Sequence, residues 1–405
     1  MPEYWMFSTI RPYNIKGNSK EMFKTIIMFL VLIASVTIPA HALDQKNLPA
    51  ANAAAPDIAG KSWLLVDYDS GAVLAAGNPD LRVEPASLTK LMTAYLVFNE
   101  LAENRQQLDS MVYISEKAWR TEGSRMFIKV NSRVRLEDLI MGMIIQSGND
   151  ATVALAEHIA GTEDAFVGLM NQAAVKLGMN GTHFENSVGM PGKDHFTTAT
   201  DLGILTRALI RNFPEYYKYY SIKEFTWNKI TQGNRNILLT RDPSVDGVKT
   251  GHTESAGYCL IGSAHRDGMR LIAVVTGADS KLKRADLVHS LLNYGFSNYI
   301  TREVYPAGKV LQNVTIYKGE HEKVAVETGD GISLTVPRRS KADITQVLSV
   351  PDYVIAPVEA SQALGDIEFT VAGASLGHYP LTTTTAVAEG GIIDQLMGTI
   401  MLWFE

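Results

Sequence analysis

Three short groups of residues have the types and spacing to do chemistry. The first, Ser87-Leu88-Thr89-Lys90, sets a hydroxyl and an amine three residues apart. Pro85 stands just ahead of an apolar rhythm, Leu88, Leu91/Met92 and Tyr95/Leu96, which predicts a buried helix starting near Ser87. Positions i and i+3 share a helix face, so the Lys90 amine would lie one turn above the Ser87 hydroxyl. A serine near a helix N-terminus with an amine beside it is a candidate activated nucleophile, because backbone N–H groups and the helix dipole favour negative charge there. Taken alone, a Ser-x-x-Lys arises by chance about once in a chain of this length. A second one does occur, at Ser280-Lys281-Leu282-Lys283. The bland reading of any single match is a solvated helix face.

The second group lies where a helical pattern running from Leu136 through Ile144-Ile145 stops at Gln146-Ser147-Gly148-Asn149-Asp150, with a new helical pattern from Ala151. This places Ser147 and Asn149 on a tight loop between two buried helices, where polar side chains can point into a cleft. The third group is Lys249-Thr250-Gly251-His252. It follows Val245-Asp246-Gly247-Val248 and precedes the apolar runs Gly257–Ala264 and Leu271–Val275. These read as an antiparallel sheet whose leading strand carries Lys-Thr-Gly, with Gly251 leaving room for a ligand backbone to lie along it. Ahead of Ser87, Ser62–Asp67 and Ala72–Ala76 flank a Tyr68-Asp69-Ser70-Gly71 turn and predict a hairpin. Helical segments from Leu88 to Ala160 and an irregular stretch near 180–200 make the whole mixed α+β.

Composition narrows the classes. With 405 residues the chain has room for two or more domains. The 37 basic and 43 acidic residues give no electrostatic footprint for nucleic acid. The single cysteine, Cys259, excludes an internal disulfide and reads as a buried strand position. The nine histidines show no ligand-like clustering, so no metal site and no cofactor is suggested.

Lys16, Lys20 and Lys24 precede an apolar run from Thr25 to Pro39 that ends in Ala40-His41-Ala42, the pattern of a secretory signal over residues 1–42. The long basic region makes Met22 an alternative start, and an uncleaved membrane anchor is the alternative reading of the run. Residues 43–60, rich in Ala, Asn and Pro, read as a linker. After a catalytic domain at 61–300, short alternating runs (Val310–Tyr317, Lys323–Glu327, Ile332–Val336, Ile367–Val371) predict a small all-β domain over 301–385. Thr382–Thr385 reads as a linker to a last helix within 386–405. There Ile393, Leu396, Met397, Ile400, Trp403 and Phe404 share a face opposite Asp394, Gln395, Gly398 and Glu405. That helix is too short to span a bilayer but suits lying in its surface, or packing on the protein.

Ser87-x-x-Lys90, Ser147-Gly-Asn149 and Lys249-Thr-Gly251, in that order, make the sequence resemble the penicillin-recognising serine enzymes, above all the low-molecular-mass penicillin-binding proteins that are D-alanyl-D-alanine carboxypeptidases. The flanks Pro85-Ala86, Ile145-Gln146 with Asp150-Ala151, Asp246-Gly247-Val248 with His252-Thr253, and Gly277-Ala278-Asp279-Ser280 extend the likeness. The resemblance implies a β-lactamase/transpeptidase-like catalytic domain with helices flanking an antiparallel sheet. It implies that Ser87 attacks the penultimate D-Ala carbonyl of a peptidoglycan stem peptide and that a neutral Lys90 takes its proton, Lys249 and burial disfavouring the ammonium. Ser147 would bridge the two lysines and protonate the leaving D-Ala. Asn149 would hold the substrate amide, Lys249 and Thr250 would hold its terminal carboxylate, and Gly251 would leave room for its backbone. The backbone N–H groups of Ser87 and His252 would form the oxyanion hole.

β-Lactams would acylate the same serine as covalent inhibitors. Class A β-lactamases carry a glutamate four residues before an asparagine between the second and third motifs, whereas Glu185 here directly precedes Asn186. The alternatives left are an endopeptidase acting on cross-links, a class A-like β-lactamase and a non-catalytic penicillin-binding scaffold. The implied place is the periplasmic face of the inner membrane, held at the membrane surface by the last helix, although this helix lacks the basic residues the family's anchors usually carry. In the irregular segment, Asp201 reads as a helix N-cap and His195 as a residue that could border the cleft.

Overall fold

The computed structural model describes residues 54–339, 344–371 and 373–404. The predicted signal segment, the first part of the linker and Glu405 lie outside the described residues. The catalytic part is built on a five-stranded antiparallel sheet, β2-β1-β9-β8-β7 in spatial order. In sequence, β1 (Ser62–Asp67) and β2 (Val73–Gly77) form the first hairpin. A 3₁₀ turn over Ala86–Thr89 then runs directly into α1 (Lys90–Ala102). The next elements are β3 (Met111–Tyr113), α2 (Glu116–Arg120), β4 (Arg133–Arg135), α3 (Leu136–Ile145), α4 (Asn149–Ala160), α5 (Glu163–Leu177), α6 (Ala199–Asn212) and α7 (Pro214–Tyr217). The small ribbon β5 (Glu224–Trp227) with β6 (Ile230–Gly233) and the single turn α8 (Leu238–Arg241) lead to β7 (Val245–Thr253), β8 (Gly257–Arg266), β9 (Met269–Ala278) and α9 (Lys281–Asn298).

The strand sequences explain why this sheet is covered on both faces. In β9, Ile272 and Val274 join the core shared with α1, α4 and α6, whereas Leu271, Ala273 and Val275 join the core under α9. Leu64 and Val66 against Leu65 in β1, and Cys259 and Ile261 against Leu260 in β8, alternate in the same way. A period of two with both sets buried produces the near-continuous apolar runs of the sequence. Cys259 is fully buried by this alternation. The helices of the second face are apolar nearly all round: α1 buries Leu91, Met92, Ala94, Val97 and Phe98 as well as Lys90.

Beyond α9 the chain turns into strands. β10 (Tyr299–Tyr305) pairs with β13 (Ile332–Pro337). A six-stranded sheet runs in the order β14-β16-β17-β12-β11-β15. It comprises β11 (Lys309–Tyr317), β12 (Lys323–Thr328), β14 (Ile344–Ser349), β15 (Tyr353–Ile355), β16 (Ala363–Val371) and β17 (Ala374–Thr383). Its core is the alternate residues Val314/Ile316, Val324/Val326 and Ile367/Phe369/Val371. The Thr382–Thr385 linker of the sequence reading is corrected, because Thr382 and Thr383 end β17. Thr383 is buried and donates its hydroxyl to the Glu359 carbonyl, so the strand continues through a stretch without apolar alternation.

A buried hydroxyl–carboxylate network ties this part to the first hairpin. Thr301 Oγ1 donates to Asp67 at 2.6 Å, Ser70 donates to the other Asp67 oxygen, and Thr335 lies 2.6–2.8 Å from both hydroxyls. The last helix, α10 (Ile392–Met401), rests on the Lys318 backbone through Gly398, where a Cβ would come within 2.6 Å of the Lys318 nitrogen. Its apolar face points outward: Ile392, Ile393, Leu396 and Met397 are exposed, as are Trp403 and Phe404 just beyond its end. None of the described helices is long and apolar enough to cross a membrane.

Candidate active site

The 3₁₀ turn, rather than a regular α-helix, presents Ser87, and its threefold repeat sets residue i+3 directly over residue i. Lys90 Nζ therefore comes to 3.0 Å from Ser87 Oγ. Ala86, just before the nucleophile, sits at φ +47°, a left-handed conformation that costs an L-residue about 1–2 kcal/mol. It is held there from the other side by the Ser187–Gly189 segment. Gly189, at φ +88°, passes so close that a Cβ would fall 1.8 Å from the Ala86 carbonyl oxygen, so only glycine fits. The same segment receives Lys90, whose Nζ donates to the Val188 carbonyl at 2.6 Å, and Thr93, whose hydroxyl donates to the Ser187 carbonyl. Glu163 anchors it: Oε1 accepts from both the amide and the hydroxyl of Ser187, and Oε2 pairs with Lys117 at 2.8 Å. Burial opposes the Glu163 charge, yet the hydrogen bonds from Lys117 and Ser187 hold its carboxyl below the usual range.

Ser147 occupies the turn between α3 and α4 at φ +65°, a second strained residue in the cleft. On β7, alternation sends Lys249 and Gly251 to one face, toward the helices. Lys249 Nζ donates to Ser147 Oγ at 2.8 Å and to the Thr250 carbonyl at 3.1 Å. The Lys249 half of the expected Ser147 bridge is present. The other half is not: Ser147 makes no hydrogen bond to Lys90, whose donors go to Ser87 and Val188. At Gly251 a Cβ would lie 3.1 Å from the Pro85 carbonyl and 3.2 Å from Leu88 Cγ, so the missing side chain lets the nucleophile turn pack on the strand. Thr250 is buried beside it, and His252 is exposed with its ring stacked on Tyr258 at 4.0 Å.

Asn149 is the first residue of α4 rather than a loop residue. Its Nδ2 donates to the Glu122 carbonyl at 2.6 Å, and its backbone N–H donates to Ser124. The adjacent Asp150 carboxylate, fully buried, accepts the backbone N–H groups of Met126, Phe127 and Ile128. Together these two side chains fasten the 122–128 loop beside the cleft. The decoy at Ser280 is an ordinary helix cap, its hydroxyl accepting from the Lys283 amide at the start of α9.

Asp201 is corrected: α6 starts two residues before the predicted place, so Thr198 is the N-cap. The Asp201 carboxylate instead receives the Gly181 amide and the Thr182 hydroxyl. His183 donates Nδ1–H to the Asp194 carbonyl at the surface. Glu185 is exposed, its carboxylate lying where a Cβ on Gly192 would go.

Electrostatically the cleft is a concentration of buried cations. Lys90 and Lys249 are 1% and 2% exposed, and their hydrogen bonds among the described residues go to neutral oxygens. Burial brings the Lys90 amine down to about 7, and the positive charge of Arg235 adds to this against an opposing pull from Asp150. Lys249 is driven well below the ordinary lysine value by burial, then by the charges of Lys90, Arg235 and Arg284. Lys90 and Lys249 disfavour each other's charge, as the sequence reading expected, and Arg235 adds to both. This arginine went unnoticed because a lone cation in a loop carries no periodic signal. Its one local mark is Asn234-Arg235-Asn236: the flanking asparagines bond the Ile222 and Gly247 carbonyls and fix the loop against the sheet. Among the described residues no group of three or more metal-ligating side chains comes together.

His195 lies under the nucleophile turn, not at the cleft rim. Its Nδ1 accepts the Glu185 amide, so Nε2 carries the proton and donates to Thr89 Oγ1 at 2.9 Å. Burial, with His183 nearby, holds its pKa down to about 4. An unfolded chain takes up this proton near pH 6.5, so the folded state loses stability as pH falls from about 6.5 to about 4, and none of this loss is felt above pH 7. Full titration across that window amounts to roughly 3 kcal/mol. The difference in unfolding free energy between wild type and His195→Gln, from urea denaturation, is expected to be constant above pH 7 and to shrink steadily between pH 6.5 and 4. Parallel curves would mean that His195 does not act this way.

The D-alanyl-D-alanine carboxypeptidase profile of the S11 peptidases matches residues 49–280, and the profile of the penicillin-binding protein 5 C-terminal domain matches 299–389. The chain is 39% identical over 359 residues to the D-alanyl-D-alanine carboxypeptidase DacC of Escherichia coli, covering 87% of this chain and 90% of the relative. Penicillin-binding protein 5 from Haemophilus influenzae superposes with a TM-score of 0.77 at 38% identity, over 83% of this chain and all of that one. Penicillin-binding protein D2 from Listeria monocytogenes, solved in an ampicillin-bound form, gives 0.56 at 31% identity over 60% of this chain and all of that one.

Proposed function

The chain belongs to the D-alanyl-D-alanine carboxypeptidase family, and from that premise we propose how its residues carry out the reaction. The activity is serine-type hydrolysis that removes the terminal D-alanine from a D-Ala-D-Ala end. The observation that carries the assignment of roles is the Ser87–Lys90 pair at 3.0 Å, with a buried amine brought down to about 7. Near neutral pH much of Lys90 is unprotonated and can accept the Ser87 proton as Oγ bonds to the penultimate carbonyl carbon. Negative charge then develops on the carbonyl oxygen between the N–H groups of Ser87 and His252.

Collapse breaks the C–N bond. The departing D-Ala amine takes the Ser147 hydroxyl proton, and the proton that Lys90 took from Ser87 passes on to that oxygen, which Lys249 holds through its donated hydrogen bond, so Lys90 is neutral again. Water next attacks the ester, gives its proton to Lys90, and Ser87 leaves with a proton returned. The carboxylate of the substrate is drawn by the positive field of Lys249, Arg235 and Thr250's neighbourhood, where no protein carboxylate competes at salt-bridge distance among the described residues. β-Lactams, which mimic acyl-D-Ala-D-Ala, acylate Ser87. Glu185 is exposed, with its carboxylate beside Gly192, which favours slow turnover of the drug over a β-lactamase role.

Place follows from the two ends. A signal segment at 1–42 exports the chain, and α10 holds it at the periplasmic face of the inner membrane. The support for the second statement is that the helix turns its small residue Gly398 to the protein and Ile392, Ile393, Leu396 and Met397 to solvent, with Trp403 and Phe404 exposed just beyond it, the orientation a lipid surface requires.

Purified enzyme given a pentapeptide ending in D-Ala-D-Ala should release D-alanine over many turnovers. Ser87→Ala should lower the rate by at least about 10³-fold while keeping the fold. A cross-linked substrate cleaved in preference to the pentapeptide would move the assignment to an endopeptidase. For the membrane, the chain should sediment with vesicles of phosphatidylethanolamine and phosphatidylglycerol, and a chain ending at Gly391 should stay in the supernatant. Equal sedimentation of both would refute the role of α10.

A further inference from the structure

Arg284, the fourth residue of α9, is 5% exposed, and among the described residues it makes no salt bridge. Burying an unpaired guanidinium costs several kcal/mol unless its charge is used, and no step of the reaction above uses it. Its Nη1 donates to the Gly251 carbonyl at 3.0 Å, and its guanidinium lies 5.6 Å from the centre of the Tyr258 ring. Tyr258 in turn stacks on His252. Gly251 C=O and His252 N–H belong to one peptide unit. That peptide is trans, so its C=O and N–H point in opposite directions. β7 is the edge strand of the sheet, and Gly251 lies against the Ser87 turn. The carbonyl is therefore held by a cation while the N–H of the same group points away from it.

We propose that Arg284 is a positioning residue for the oxyanion hole: its charge-assisted hydrogen bond to the Gly251 carbonyl fixes the plane of the Gly251–His252 peptide and polarises it, making the His252 N–H a stronger donor to the developing oxyanion. A hydrogen bond accepted at one end of an amide strengthens the donor at the other, and one from a charged donor does so most. Burial lowers the Arg284 guanidinium to about 10, which still leaves it charged at neutral pH. The proposal rests on the assignment of the His252 N–H to the oxyanion hole.

The test uses the full chain with Arg284→Gln and Arg284→Lys, and three readouts. These are D-alanine release from the D-Ala-D-Ala pentapeptide, the rate of acylation by benzylpenicillin, and the infrared stretch of the isotope-labelled ester carbonyl in the benzylpenicillin acyl-enzyme. Losing a whole oxyanion donor costs about 10²–10³ in kcat, so weakening one should cost about tenfold. In Arg284→Gln, kcat and acylation should fall by that factor with KM within about twofold, and the ester stretch should move to higher wavenumber. Arg284→Lys should recover part of both, and it decides the matter if the glutamine variant does not fold. A raised KM with unchanged kcat and an unmoved stretch would overturn the proposal and make Arg284 a holder of the substrate's anionic end. Slower turnover with an unmoved stretch would overturn it in favour of a role in packing alone. If the wild-type stretch matches that of the denatured acyl-enzyme, the oxyanion-hole assignment fails and the proposal with it. If the wild type is shifted and both variants share its shift, only the role of Arg284 fails.

Discussion

Everything near the cleft depends on burying cations without a counter-anion. Lys90, Lys249 and Arg284 are each at most 5% exposed, and each gives its hydrogen bonds to hydroxyl or carbonyl oxygens. Desolvating such groups is expensive, and a carboxylate beside them would relieve the cost at once. It would also hold Lys90 protonated and fill the place a substrate carboxylate must take. The fold instead spreads the charge over neutral acceptors and leaves a positive field for the substrate to complete. Residual strain is visible at Ala86 and Ser147, two of the non-glycine residues at positive φ, which sit at the nucleophile and at the Lys249 contact.

Much of the surrounding structure serves to hold those acceptors still. The Val188 carbonyl is fixed because Ser187 is fixed, and Ser187 is fixed by Glu163 and its ion pair to Lys117. Thr89 is locked to the same segment through neutral His195. Acidic residues are thus plentiful one layer away from the cations: Glu163, Asp150 and Asp201 each accept backbone amides or hydroxyls of the segments that wall the cleft. The carboxylates shape the loops, and the chemistry we propose is left to the lysines.

The nucleophile, its amine, the Ser147 turn and the Lys249 strand could all be read in the sequence because short motifs with fixed offsets map directly onto a 3₁₀ or α turn and onto a strand of period two. The apolar runs of β8 and β9 were equally readable, since a sheet covered on both faces needs them. What stayed hidden depends on contacts distant in sequence. Arg235 and Arg284 matter through space, with no repeat to mark them. The purpose of Gly251 emerged only once the Ser87 turn was seen against it. In the β-domain, β14 escaped notice because all six of its residues are exposed, so no alternation is imposed on Ile344–Ser349. β17 carries Gly377 and Pro380, which read as breakers until their pairing with β16 is known.

The central claim is that Lys90 is a lysine whose proton is shared out near neutrality by burial. It is tested most directly by titrating the side-chain nitrogen and Cε resonances of isotope-labelled lysine, with Lys90→Met assigning the signal. The account predicts that the Lys90 resonance titrates at about 7. A midpoint near the ordinary lysine value of 10.5 would contradict it, for Lys90 would then be a fixed cation and something else would have to take the Ser87 proton.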